Sequence, residues 1–488
     1  MSMAVITKTL VIVLAFLIAH NAPADVNTRS YDYAYDFWEI SNEAVPAFAL
    51  ERIIDRDTLG GIHVTGFDDI AFGGGKLFLI DSAENRLHIL NENFEFITSI
   101  RLLFTGENRI ALDEREQQIM LTNPEGVFYH EISNQIYIAD TGASRILVLD
   151  GDDFTFIRAI GRPDNMTGVT LFEPSKIVVD HANRIYAVVQ SGFEGIITLN
   201  ENGSFSGYFG VNRPRVNLLE YFWRVFATNE QRERMARVFA PAFNNLDIDD
   251  DGFIYATSHD ANARYAVFRL NPSGVNVLIQ DQDNPIRGDY SPLINNQFIA
   301  VSINDYGVYA VLDRGTGRIF IYNFFGELMS IINRPPGMKG SFSAPTGIAW
   351  VGDRLVATDR QLRRAYVYSM TDFGHLAFGS ARHYHRGEWE DSAGLLEQAL
   401  RINANYDLAY SGIGKYHLMQ GDYRQAMYYL KLGQNRQYYS MAFNEYRNEW
   451  VESNFFWFCL IFVIITGAIV FTEIQYHKKG KVKDAAST

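Results

Sequence analysis

Asp247, Asp249 and Asp251 stand at alternate positions and are followed by Gly252, the spacing at which carboxylates and a sharp glycine turn can wrap a calcium ion. Such a loop also needs a bidentate glutamate at its twelfth position, and that position is Ser258. The same spacing makes a hairpin turn in which glycine supplies a positive φ and the aspartates accept turn N–H groups, and we expect that turn. His383 and His385 lie two apart, a spacing expected of a solvated surface pair. A nucleophile elbow and a zinc-protease helix motif are both missing, and the one cysteine, Cys459, falls in an apolar run. No catalytic, cofactor-binding or metal-ligating residue is therefore expected.

The elements that position the aspartates form a repeat. From about Phe67 to Tyr368, a short apolar strand, a polar turn, a strand such as QIYIAD, a tight turn and an Arg-led strand recur in order. Aligned on the middle strand, Leu77, Ile136, Tyr186, Tyr255, Tyr309 and Leu355 come into register. At fixed offsets follow the pairs Asp81 and Arg86, Asp140 and Arg145, Asp313 and Arg318, and Asp359 and Arg364. Pro124-Glu125-Gly126-Val127, Ile136-Tyr137-Ile138-Ala139-Asp140-Thr141-Gly142 and Pro345-Thr346-Gly347-Ile348 resemble the blade motif of the NHL-repeat family. The resemblance implies a six-bladed β-propeller over residues 47–373, with Ala47 to Ile54 pairing with the last blade to close the ring. Some propeller hydrolases hold a divalent metal in the central channel. The candidate channel acids are Asp68, Glu125 and Asp247, but Lys176, Gln297 and Thr346 take the corresponding places in other blades and leave that set incomplete.

A non-repeat insertion at 212–242 interrupts the blades. Apolar spacing at Leu218, Tyr221, Phe222, Val225 and Phe226 predicts a helix, and a second is predicted from Asn229 towards Pro241. Beyond the ring, Gly387-Glu388-Trp389 recurs as Gly421-Asp422-Tyr423, the 34-residue period of tetratricopeptide repeats, which residues 374–452 resemble. Such repeats bury a face on each other and present a groove to a partner. Tyr221, Phe222, Trp223 and Phe226 on the insertion, with Trp389, Tyr410 and Tyr423 in the helical module, are the candidate partner-binding aromatics.

Both ends carry apolar runs. Lys8, the run Leu10 to Ala19 and Ala22-Pro23-Ala24 fit a signal peptide over 1–24. Near the other end, Phe455 to Phe471 is 17 residues without a charge; extended to 454–472 it approaches the ~20 residues of a membrane-spanning helix. Lys478, Lys479, Lys481 and Lys483 then place the tail, 473–488, in the cytoplasm and the bulk of the chain outside.

The net charge of −14 argues against nucleic acid as a partner, since phosphate recognition needs clustered Lys and Arg. Together these readings give a mainly β protein: an NHL-like propeller, a small TPR-like helical module and a single transmembrane helix. The expected function is that of an extracytoplasmic scaffold rather than an enzyme. The order of parts resembles membrane proteins of Gram-positive bacteria that accompany ABC importers for carbohydrates. That resemblance implies an accessory role in a bacterial cell membrane, docking on permease or solute-binding subunits. A glycan- or peptide-binding sensor and a metal-dependent, lactonase-like hydrolase are the alternatives.

Overall fold

A computed structural model describes residues 31–35, 40–106, 109–113, 115–166, 171–190, 195–210, 242–258, 266–278, 288–289 and 296–485. The signal segment and the insertion aromatics Tyr221, Phe222, Trp223 and Phe226 lie outside the described residues. Contacts divide the chain into two compact units, which meet in sequence at Arg386 and Gly387.

The first unit is a six-bladed β-propeller. Blade one consists of Asp69–Gly73, Lys76–Asp81, Arg86–Asn91 and Phe96–Ile100, antiparallel in sequence order. Blade two runs Gly126–His130, Gln135–Asp140, Arg145–Asp150 and Phe156–Ile160, and blade three Pro174–Val179, Ile185–Val189, Ile196–Leu199 and Phe205–Phe209. Blade four has three strands among the described residues: Phe243–Ile248, Ile254–Ser258 and Val267–Leu270. Phe298–Ile303, Tyr309–Asp313, Arg318–Tyr322 and Leu328–Ile332 build blade five. Blade six is Pro345–Val351, Arg354–Asp359 and Arg364–Met370, and its fourth strand is Phe48–Ile54 from the start of the chain. The expected closure is therefore present: Ala365 pairs with Ile54 and Met370 with Phe48.

The sequence forms blades because each middle strand is sandwiched between neighbouring sheets. Ile185–Val189 and Tyr309–Asp313 are buried along their whole length, so they read as continuous apolar runs rather than alternating ones. Outer strands keep one wet face, and Phe156–Ile160 alternates partly or fully buried with exposed positions accordingly. The core is a chain of inter-blade clusters. One joins Phe78, Leu87 and Ile89 of blade one to Val127, Ile136 and Ile138 of blade two. Another joins Tyr255 and Val267 of blade four to Phe298, Tyr309 and Phe320 of blade five.

Helix α1, Asp372–His385, follows the last blade and belongs to the same compact unit. Thr371 caps it by accepting the Gly374 N–H at 3.1 Å, and the same hydroxyl donates to the Pro46 carbonyl at 2.7 Å. Phe378 then packs edge-on against Phe48 at 5.2 Å.

The second unit holds α2 (Trp389–Ile402), α3 (Asp407–Met419), α4 (Tyr423–Leu432) and α5 (Arg436–Ala485). Consecutive helices pack on one another through Leu396, Ala399, Ile413, Ala426, Leu430 and Ala442. At 50 residues α5 is about 75 Å long, more than twice a bilayer core. Its apolar segment has a mean hydropathy of 2.5 and exposes large side chains all round, Phe456, Phe462 and Val463 among them. One helix is thus long and apolar enough to cross a membrane.

Candidate functional site

The repeated aspartates sit at the ends of second strands, where each closes its own blade. Asp81 accepts the Thr65 N–H at 2.8 Å, Asp140 that of Thr122 at 2.6 Å, Asp313 that of Gln297 at 2.6 Å and Asp359 that of Ser343 at 2.6 Å. All four are fully buried, and each carboxylate satisfies a backbone donor where the chain enters the blade's first strand. The arginines do not share one role. Every Asp–Arg pair is cross-strand, but among the described residues Arg145 is the one that forms an ion pair with its own aspartate, at 2.7 Å. Arg318 turns instead to Asp289, and Arg86 reaches Ser99 at 3.5 Å.

Polar residues of the first strands stitch adjacent blades. Asp69 of blade one accepts the Val127 N–H of blade two at 2.9 Å. Asn245 and Asp247 of blade four accept the N–H groups of Val301 and Ile303 of blade five, at 3.2 and 2.8 Å. Thr346 of blade six donates to the Phe67 carbonyl, at the entry to blade one, at 2.6 Å.

The acids of the opening motif therefore diverge. Asp247 faces blade five, whereas Asp249 accepts the Phe253 N–H at 2.8 Å within its own turn and pairs with Arg269 at 3.7 Å. Gly252 has φ +80°, as the hairpin requires. The stretch is a blade-four turn.

Two cavities open along the channel. One, of about 350 Å³, is lined by Asp68, Glu125, Lys176, Gln297, Arg314 and Thr346 with several amides. The structure thus brings five of the six channel residues expected from the sequence to one mouth. Asp247, the sixth, lines the other cavity, of about 550 Å³, and Lys176 lines both. Lys176 of blade three pairs with Asp69 of blade one, so an ion pair crosses the channel. The acids at the smaller mouth are also engaged: Asp68 pairs with Arg360 across the seam of blades six and one, and Glu125 accepts from Gln190.

Burial sets the protonation of these groups. It pushes Asp69 above the ordinary carboxylate range, against the pull of Lys176 and the Val127 N–H. Asp247 is pushed up to about 6 by desolvation, with its backbone N–H partners and Lys176 opposing. Elsewhere in blade one, His88 is fully buried against Phe67, neither ring nitrogen has a hydrogen-bond partner, and desolvation takes it down to about 4.

The larger cavity contains residues that the sequence reading did not single out, including Glu131, His130, Asp305, Asn304 and Trp350. They come from the first-hairpin turns and first strands of the blades around the channel. Their common place, at the end of a first strand or in the turn after it, was the signal that could have found them.

In the helical unit, Trp389 is 43% exposed and the Tyr410 hydroxyl donates to the Ala404 carbonyl at 3.0 Å. Tyr423 lines a groove of about 460 Å³ with Arg424, Tyr446, Glu449 and Trp450.

By its topology the chain is a six-bladed propeller with a few C-terminal helices. Neither a family model nor a curated relative matches the sequence. Among solved structures it is similar to virginiamycin B lyase from Staphylococcus aureus, with 13% identity, a TM-score of 0.40, and 66% of this chain and 99% of that one covered. It is also similar to the β-propeller domain of Cps50 (Swd1) from Myceliophteria thermophila, with 12% identity, a TM-score of 0.41, and 66% and 100% covered. Likenesses at this level carry neither an activity nor a partner to this chain.

Proposed function

We propose that the protein is a membrane-anchored scaffold whose propeller and helical unit hold a partner at the membrane surface. The observation that carries this reading is the combination in one chain of a closed propeller with a C-terminal helix that is apolar and exposed on every side. The channel supports binding over turnover. Asp68, Asp69 and Glu125 are committed to Arg360, Lys176 and Gln190, and a catalytic metal would have to displace those partners. The propeller and helical unit lie outside the cytoplasm in this reading, because the lysines after the apolar segment favour the inner side. The finer reading, an accessory of a carbohydrate ABC importer, draws its support from the order of parts alone.

The test is affinity purification of the tagged full-length protein from its native membranes in mild detergent, with mass spectrometry of what co-elutes. Stoichiometric permease or solute-binding subunits are expected. Another stoichiometric membrane or extracytoplasmic partner would keep the scaffold and remove the importer, and a solitary protein would overturn both.

A further inference from the structure

The larger channel cavity is strongly one-signed. Six carboxylates line it against Lys176 and Arg382. Arg382 is spent on Asp353, Lys176 on Asp69, and Asp249 on Arg269. Glu131, Asp247, Asp250 and Asp305 remain without an ion-pair partner among the described residues. Three of them, Glu131, Asp250 and Asp305, are exposed, while Asp247 is half-buried and near enough to Lys176 to feel its charge.

A buried polar group beside Asp305 is also unfilled. Asn304 is 7% exposed; its side-chain oxygen accepts the N–H groups of Tyr306 and Val308, which fixes the amide, and its Nδ2 has no acceptor. A buried donor left unmet costs about 1–3 kcal/mol, so an acceptor that reached the Asn304 amide would relieve that cost.

The chemistry of an occupant follows. The carboxylates are dispersed: among the described residues, no three ligand atoms of this cavity converge within 4.8 Å, as one metal ion would require. Dispersed negative charge suits a dispersed cation. The idle Asn304 amide wants a carbonyl oxygen, which a simple polyamine does not carry. A basic peptide supplies both. We propose that this mouth of the propeller binds an extended basic segment of a partner protein, with a Lys or Arg side chain directed at Asp247 and a backbone carbonyl accepting from Asn304. The cavity volume lies in the ~300–1,000 Å³ range of ligand sites. The inference rests on the scaffold reading and names the partner's chemistry.

The test measures binding of a fluorescent capped peptide, Gly-Arg-Lys-Gly, to the full-length protein in detergent, beside the neutral Gly-citrulline-norleucine-Gly and spermidine as competitor. The basic peptide is expected to bind at least about ten-fold more tightly than the neutral one. Its binding should weaken about five-fold between 50 and 300 mM salt. The exposed double variant Asp250→Asn/Asp305→Asn should lose most of that preference at an unchanged melting temperature, and Asp247→Asn should lose the Lys or Arg contact. Equal binding of both peptides, no binding, an unaffected double variant, or displacement by spermidine at equal concentration would each overturn the proposal. Binding with a partnerless purification would overturn the scaffold and leave this site, and co-purified partners without peptide binding would do the reverse.

Discussion

At the scale of single residues, burial has been used twice with opposite electrical consequences. Asp247 is raised to about 6, so between the unfolded carboxylate value of 3.8 and pH 6 the folded chain holds a proton that the unfolded chain has lost. Folding stability from this group therefore falls as pH rises through that window. His88 is lowered to about 4 from 6.5, so there the unfolded chain holds the extra proton, and stability rises with pH across roughly the same range. The two slopes oppose, so this pair largely cancels between pH 4 and 6. Relative to the wild type, melting curves of His88→Phe should fall more steeply with rising pH and those of Asp247→Asn should fall less or rise. The His88 contribution is about 3 kcal/mol, since each tenfold change in its protonation equilibrium is worth about 1.4 kcal/mol. The staple aspartates give a separate contrast. Asp313→Ala strands the Gln297 N–H and should cost about 1–3 kcal/mol in urea unfolding, whereas Arg364→Ala, at an exposed position, should stay within about 0.5 kcal/mol.

At the scale of elements, the blades were legible because their middle strands are almost wholly apolar and four of the six end on an aspartate at a fixed offset. The Asp part of the Asp–Arg signature reports a real job, closing the blade on its own entry strand. The Arg part reports register, since the two residues face each other across strands whether or not they touch. The mouths were half legible. Asp68, Glu125, Lys176, Gln297 and Thr346 could be gathered because they stand at or beside the starts of first strands, whereas Glu131, Asn304 and Asp305 follow first strands of blades two and five, and the closed ring brings those turns to one cavity. The seat of α1 also hides in the sequence. Gly374 lies in its first turn, where an added Cβ would collide with the Ala47 carbonyl oxygen, backbone that the closing strand holds in place. Gly374→Ala should accordingly lower the melting temperature by several degrees, against the small gain that the same change gives in an open helix.

At the scale of the whole molecule, composition and charge spoke more clearly than any site. The apolar segment of α5 has no fold to bury it, and a chain ended before Asn454 should leave the membrane fraction for the soluble one in an alkaline carbonate wash. Retention of that shortened chain in the pellet would mean that another surface holds it. The closing strand has a further consequence, and it concerns time. Ile54 pairs with Ala365, so the first strand of the ring finds its mate only after nearly the whole propeller has been synthesised. Until then blade six has no outer strand and Phe48–Ile54 has no bonded neighbour. During synthesis such a chain is a ring with its clasp undone, open to pairing with another copy of itself. The helix that follows the last blade is tied by Thr371 to Pro46, so the last residues of the ring to be made also fasten the clasp.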